Sequence, residues 1–169
     1  MNSLILKISV YFWKIIMLLP RRAHLMLGQL IGNILLKIPF KRNKYSEANI
    51  NLCFADLNLQ ERRDIYKKNV ICSGNILFDT GISWFWSDRR IRNSLSFKLN
   101  GIESLKENQR NKKGVILFFK HSLHLELDAR ILGMHCDLYG IEREHNSKAF
   151  SDIQRKGRLK GLKGVTDRK

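Results

Sequence analysis

The stretch from Lys120 to Glu126 holds the side chains best suited to chemistry in this 169-residue sequence. It reads Lys-His-Ser-Leu-His-Leu-Glu and places His121 five residues before Glu126. A neutral histidine can remove a proton from a hydroxyl group, and a carboxylate beside it can fix the ring tautomer and stabilise the imidazolium ion that forms. A five-residue step along a helix turns by about 140°. The two side chains therefore meet only if His121 lies in the turn before a helix that carries Glu126.

The same stretch allows two other interpretations. His121, His124 and Glu126, together with Cys136, could bind a metal ion, because H-x-x-H places two imidazoles on one helix face. No further pair of ligands accompanies them in the sequence. Alternatively, both histidines are partly buried and bond to neighbouring backbone groups. Spacing alone does not decide between a base, a metal site and two structural histidines.

The elements on either side must position this stretch. Residues 114–119 (GVILFF) form a short, continuous apolar run, which predicts a fully buried strand, and helical spacing of apolar residues follows within 122–134. Further patterns predict a capped helix at 59–80, a half-buried strand at 94–100, a strand at 138–141 and a basic helix at about 149–160. This alternation favours an α/β sheet, in which polar groups just past the C-terminal end of a strand usually carry the chemistry.

An apolar segment with two lysines opens the chain. Residues 4–19 carry Lys7 and Lys14 near one helical stripe, and Pro20 ends the segment. At about 1.5 Å per residue the segment is about 24 Å long, shorter than the roughly 20 apolar residues that cross a bilayer. It is predicted either to cross with its lysines snorkelling or to lie in the membrane interface. A signal peptide is disfavoured, because no small-x-small cleavage site precedes Arg21.

A second apolar segment, residues 23–39, continues this pattern. Its Gly28 and Gly32 either permit close helix packing or are incidental. Basic residues cluster just beyond it, so residues 1–40 are predicted to be membrane-anchoring helices that face the cytoplasm. The aromatic run 84–86 is either a membrane-interface belt or a corner of the core.

The charge of the chain points to an anionic partner. Lys and Arg number 31 and Asp and Glu number 15, which gives a net charge of +16. Such a surplus is typical of proteins that bind nucleic acid or an anionic lipid surface. The basic residues are spread through apolar segments, and no nucleic-acid-binding motif is present, so a membrane is the expected partner and nucleic acid is not. With 44% hydrophobic residues, disorder of most of the chain is excluded.

Four segments, in this order, resemble the late acyltransferases of lipid A biosynthesis, and most of all their lauroyl-transferring branch. The segments are NINLCFADL at 49–57, WFWSDRRI at 84–91, GVILFFKHSLHLELDARILGM at 114–134 and IQRKGRLKGLKGVTDRK at 153–169. The resemblance implies an inner-membrane enzyme, active on the cytoplasmic side. Such an enzyme moves a fatty acyl chain from acyl carrier protein to a hydroxyl of a Kdo-bearing lipid A precursor, and no metal or organic cofactor is implied.

The resemblance also implies roles for five residues. His121 matches the general base of the family's H-x-x-x-x-D/E motif and Glu126 its orienting carboxylate. Arg158 matches the basic residue of a G-R-L segment that holds phosphate or the developing oxyanion. Arg143 matches the arginine of a Y-R-P segment and Arg168 that of a D-R-K/R segment, and both are predicted to bind substrate.

The chain departs from the family pattern in its length and at several motif positions. Family members run to about twice the length of a single domain, so residues 41–169 are predicted to be a partial acyltransferase domain with the H-x-x-x-x-E motif. Glu142 and Glu144 flank Arg143 in place of tyrosine and proline, and carboxylates there would weaken anion binding. The alternative function is therefore an inactive, truncated relative that acts only as a basic membrane-binding protein.

Overall fold

The computed structural model describes residues 3–168, so residues 1, 2 and 169, the ends of the two predicted domains, lie outside it. Within that range the chain is mostly helical, with one small sheet. The elements are α1 (Ser3–Ile16), α2 (Arg21–Lys37), α3 (Lys41–Cys53), α4 (Leu59–Ser73), α5 (Ile76–Phe85), α6 (Asp88–Ser94), α7 (Ile102–Arg110), α8 (Leu125–Gly133), β1 (Tyr139–Glu142), α9 (Lys148–Arg158) and β2 (Gly164–Asp167). They divide into two compact units, residues 21–78 and residues 3–20 with 79–168.

In the unit of residues 21–78, α2 packs closely against α4. A Cβ atom on Gly32 would lie 2.1 Å from the backbone oxygen of Ile71, so only glycine permits this approach. The Gly28–Gly32 step is thus a packing feature, as one of the two interpretations predicted. The predicted capping pair is confirmed, because Asn58 and Glu61 form a reciprocal capping box at the start of α4.

The single helix predicted over 59–80 is wrong, because α4 ends at Ser73 and α5 begins at Ile76. Gly74 lies at the break, where a Cβ atom would come within 2.1 Å of the backbone oxygen of Gly28. The chain therefore interrupts its helix at a glycine that touches α2.

In the other unit, α1 packs against α5 and α9, and the buried core draws side chains from α5, α6 and α8. The largest fully buried apolar side chains there are Met17, Ile82 and Ile91. The indole nitrogen of Trp86 donates to the Met17 carbonyl at 2.7 Å, and the ring is 2% exposed. Of the two interpretations of the aromatic run 84–86, the core corner therefore holds in this structure.

The sheet consists of β1 and β2, which run parallel in a register that pairs Tyr139 with Gly164 and Glu142 with Asp167. α9 connects them, as the crossover between two parallel strands requires. The strand predicted at 138–141 and the helix predicted at 149–160 are confirmed as β1 and α9, whereas β2 was not anticipated.

The strands predicted at 114–119 and 94–100 are wrong. Residues 114–119 have no strand structure and are exposed, with Phe118 96% accessible. Residues 95–99 are also irregular. A strand is buried on both faces only when other strands and helices cover it, and the described sheet contains β1 and β2 alone. The described chain is mostly helical with one two-stranded parallel sheet, so the predicted α/β class is not confirmed.

Within residues 3–168, no single helix is both long and apolar enough to cross a bilayer, and α2 with α3, bent by 89°, pass that test only as a pair. α1 nevertheless exposes many apolar side chains, among them Ile8, Tyr11, Phe12 and Ile15. The membrane anchor over residues 1–40 stays a prediction.

Candidate functional site

Four of the five predicted site residues line one cavity of about 1070 Å³. They are His121, Glu126, Arg143 and Arg158. The walls come from α5, α7, α8, both strands, α9 and the irregular segment 112–121. Arg168 is not among the lining residues, and its backbone N–H donates to the Glu142 carbonyl at 3.0 Å.

The carboxylate of Glu126 is held in place from two sides. Arg158 donates from Nε to both oxygens, at 3.0 and 3.2 Å, and from Nη2 to Oε1. The indole nitrogen of Trp84 donates to Oε2 at 3.0 Å. Forked arginine–carboxylate pairs are the strongest of the charge-assisted hydrogen bonds. The carboxylate of Glu126 is therefore held in one position at the start of α8.

Arg158 contacts a second carboxylate at the end of β1. Its Nη1 donates to Oε2 of Glu142 at 2.8 Å, and Arg155 donates from Nε to Oε1 of Glu142 at 2.8 Å. Burial lowers the pKa of the Arg158 guanidinium, but the hydrogen bonds and charges of Glu126 and Glu142 outweigh it, so the pKa lies above its usual value. All three guanidinium nitrogens of Arg158 thus face carboxylates in this structure.

Arg143 differs from Arg158 in this respect. It is exposed, and no carboxylate in the described residues lies within 4.0 Å of its guanidinium. The neighbouring Glu142 points to the arginines of α9 instead. The Glu142 carboxylate is thus paired with Arg155 and Arg158, and Arg143 is a cation in this cavity with its charge open to a ligand, as are Lys112 and Lys113.

His121 precedes α8 by four residues and is exposed. The spacing argument required it to lie before the helix that carries Glu126, and it does. No hydrogen bond between His121 and Glu126 is present in the part of the chain that the structure describes, so the catalytic pair stays a prediction.

The side chain of His124 contacts α5. Its Nδ1 lies 2.5 Å from Oδ2 of Asp79, and Asp79 is 1% exposed. Across residues 3–168, no group of three His, Cys, Asp or Glu side chains is arranged to hold a metal ion. His124 is half-exposed and forms its hydrogen bond with α5.

Sequence reasoning missed the part of α5 that supports the start of α8. The carboxylate of Asp79 contacts the His124 ring. Ser83 donates from Oγ to the Glu126 carbonyl at 2.8 Å, and the Trp84 indole donates to the Glu126 carboxylate. Asp79 and Ser83 are buried polar residues four positions apart in a mainly apolar helix. Such spacing places them on one face, and that was the available signal.

Comparison with known proteins decides the family. Residues 2–169 match the sequence profile described as bacterial lipid A biosynthesis acyltransferase. This chain belongs to that family. The resemblance seen in the four ordered segments is thereby confirmed.

Curated members of the acyltransferase family align with nearly all of the chain. A lipid A biosynthesis acyltransferase of Haemophilus influenzae is 36% identical over 164 residues, which cover 96% of this chain and 51% of the relative. The lipid A biosynthesis lauroyltransferase of Escherichia coli is 35% identical, covering 93% and 50%. The palmitoleoyltransferase of the same organism is 30% identical, covering 89% and 48%. The chain thus spans about half the length of the curated relatives it matches, and no solved structure matches it.

Proposed function

We propose that this family member takes part in acyl transfer from acyl carrier protein to a hydroxyl of an anionic lipid A precursor, at the cytoplasmic face of the inner membrane. The acyl chain is lauroyl in this proposal, since a lauroyltransferase is among the relatives. The observation that carries it is the cavity that His121, Glu126 and Arg143 line together in a chain of this family.

In the proposed reaction His121 is the general base. Its ring takes the proton of the acceptor hydroxyl as the oxygen attacks the acyl carbonyl, and the proton leaves with the departing carrier. His121 is exposed in the cavity, so a lipid hydroxyl has access to it. Glu126, five residues after His121 and lining the same cavity, is the orienting carboxylate in this proposal.

The two arginines have different roles in the proposal. Arg143 binds a phosphate or carboxylate of the acceptor, since its guanidinium is open to the cavity. Arg158 positions Glu126 through the forked pair. The role of Arg168 in the proposal is structural: its backbone N–H bonds to the carbonyl of Glu142 in β1. The high net charge of +16 suits both an acidic carrier protein and an anionic lipid.

The proposal is tested with membranes that contain the chain, lauroyl-loaded acyl carrier protein and the Kdo-bearing tetra-acylated precursor. His121→Ala is expected to abolish transfer while the chain stays membrane-bound. His145→Gln is the matched control, because His145 does not line the cavity, and it is expected to keep transfer. Transfer that persists in His121→Ala would remove His121 from the mechanism.

A second candidate function is a basic membrane-binding protein without catalysis. One observation favours it: the apolar segment 114–119 next to His121 is exposed. A folded, membrane-bound chain that gives no transfer in the assay above would establish this candidate and leave the family assignment intact.

A further inference from the structure

A second cleft is lined in part by Trp84. It has a volume of about 550 Å³ and is formed by α1, the end of α5, Trp86, Arg90 of α6, and α9 with the residues after it. Three of its lining residues are Lys14, Lys156 and Lys160, and we call it the lysine cleft. It belongs entirely to the unit of residues 3–20 and 79–168.

The lysine cleft gathers positive charge that no acidic residue in it neutralises. Four of its twelve lining residues are Lys or Arg and none is Asp or Glu. Within the described residues, no carboxylate lies within 4.0 Å of the amines of Lys14, Lys156 or Lys160. The nearby carboxylate of Asp88 is paired with Arg130.

The cations are close enough to influence one another. Burial lowers the pKa of the Lys160 amine, and the charges of Arg130 and Lys14 lower it further. The Lys14 amine also lies 5.6 Å from the centre of the Phe85 ring. Repulsion among like charges disfavours this arrangement when the cleft is empty, so an anion placed between the lysines would stabilise it.

Arg90 has a structural role beside the lysines. Its Nη2 donates to the carbonyls of Leu18 and Leu19 at 2.8 Å, just past the end of α1, and its guanidinium stacks 4.0 Å from the centre of the Trp86 ring. It thereby fixes the position of the segment after α1 at the mouth of the cleft. Leu18, 72% exposed, lines the same mouth.

One wall of the lysine cleft is apolar and leads to an exposed apolar surface. Val10 and Leu18 of the N-terminal segment and Phe85 of α5 form this wall. The exposed face of α1 continues with Ile8, Tyr11 and Ile15. Basic and apolar groups are therefore next to one another, which complements a lipid whose anionic headgroup adjoins its hydrocarbon chains.

We propose that the lysine cleft binds the phosphate group of an anionic phospholipid, whose acyl chains lie along the apolar wall and the exposed face of α1. A volume of about 550 Å³ is within the range of small-molecule sites. Single-stranded nucleic acid is disfavoured as the occupant, because it needs aromatic faces on which bases stack, and Trp84 and Trp86 are each 2% exposed. The proposal concerns binding alone and does not depend on acyl transfer.

The test uses the full chain in an uncharged maltoside detergent, titrated with dihexanoyl phosphatidic acid. Tryptophan fluorescence reports binding, since Trp84 and Trp86 line the cleft. Dihexanoylglycerol, which has the chains without the phosphate, and inorganic phosphate, which has no chains, are titrated in parallel. Phosphatidic acid is expected to bind more tightly than either.

The variant K14Q/K156Q/K160Q removes three charges from the lysine cleft, all on exposed side chains. Loss of three lysines is expected to weaken phosphatidic acid binding by about tenfold or more. The matched control K41Q/R42Q/K44Q removes three charges from exposed positions of α3, in the other unit, and is expected to bind like the unmodified chain. Broadening of the lipid's phosphorus resonance provides a second readout for all three proteins.

Four results would overturn the proposal. Equal weakening by both triple variants would mean that net charge alone attracts the lipid. Equally tight binding of dihexanoylglycerol would mean that only the apolar wall matters. Equally tight binding of inorganic phosphate would assign the cleft to a free anion, and displacement of the lipid by oligodeoxythymidylate would assign it to nucleic acid.

Discussion

The Nδ1 atom of His124 lies 2.5 Å from Oδ2 of Asp79, and this contact joins the residue before α8 to the middle of α5. Asp79 is 1% exposed, whereas the His124 side chain is half-exposed. The contact holds the first turn of α8 beside α5. Glu126 lies in that turn, so the position of its carboxylate depends on a histidine that does not line the cavity.

Removal of the His124 ring is expected to destabilise this unit. A hydrogen bond to a charged group contributes about 1.5–3 kcal/mol, and partial exposure of His124 reduces this, so His124→Ala should lower the free energy of unfolding by about 1–2 kcal/mol. Urea denaturation followed by tryptophan fluorescence measures it. His124→Asn keeps a donor and should restore part of the loss. Equal unfolding midpoints for His124→Ala and the unmodified chain would contradict the structural role.

Arg158→Met should be among the most damaging substitutions in the cavity. It leaves the carboxylates of Glu126 and Glu142 without their shared cation, and the Glu142 side chain is 3% exposed. Breaking such a pair from one side typically costs about 3–5 kcal/mol. Thermal unfolding of Arg158→Met is compared with that of Arg155→Met, which removes a single contact with Glu142 and should have a smaller effect. A larger loss in Arg155→Met would show that Arg158 does not bridge the two carboxylates.

Gly157→Ala should displace Trp84. A Cβ atom at position 157 would lie 2.3 Å from Cγ of that indole, and overpacking of this kind costs about 1–3 kcal/mol. The emission of Trp84 should shift, because the ring moves and its N–H loses Glu126. Gly114→Ala is the control, since nothing lies within 4 Å of a Cβ atom there. Unchanged stability and emission in Gly157→Ala would mean that the indole does not pack on α9.

His135 should make the unit less stable in mild acid. Burial, then the charges of Arg92 and Lys106, lower its pKa below the ordinary value of 6.5. As the pH falls, the unfolded chain therefore binds a proton on His135 before the folded chain does. The contribution of neutral His135 to the free energy of unfolding is present above pH 6.5 and is lost as the pH falls through the lowered pKa of the folded state. His135→Gln should unfold with a smaller loss of stability between about pH 7 and pH 5 than the unmodified chain. Denaturation curves at several pH values give this comparison, and identical pH profiles would contradict it.

Local signals in the sequence predicted the elements that depend on near neighbours. The capping box at Asn58 and Glu61, the helix α9 and the strand β1 each follow from residue types a few positions apart. The exposed apolar segment 114–119 shows where such signals fail. Its composition is that of a buried strand, but burial depends on which elements cover it, and composition does not specify them.

The sequence by itself determined the family, the net charge and the identity of the residues that could act as base, carboxylate and anion-binding cations. Only the tertiary structure decided their partners. Trp84 and Arg158 lie 42 and 32 residues from Glu126 in the chain, and Asp79 lies 45 from His124. Contacts over such separations depend on how α5, α8 and α9 pack. The side-chain patterns that form each helix act over three or four residues, so they do not specify which helices meet.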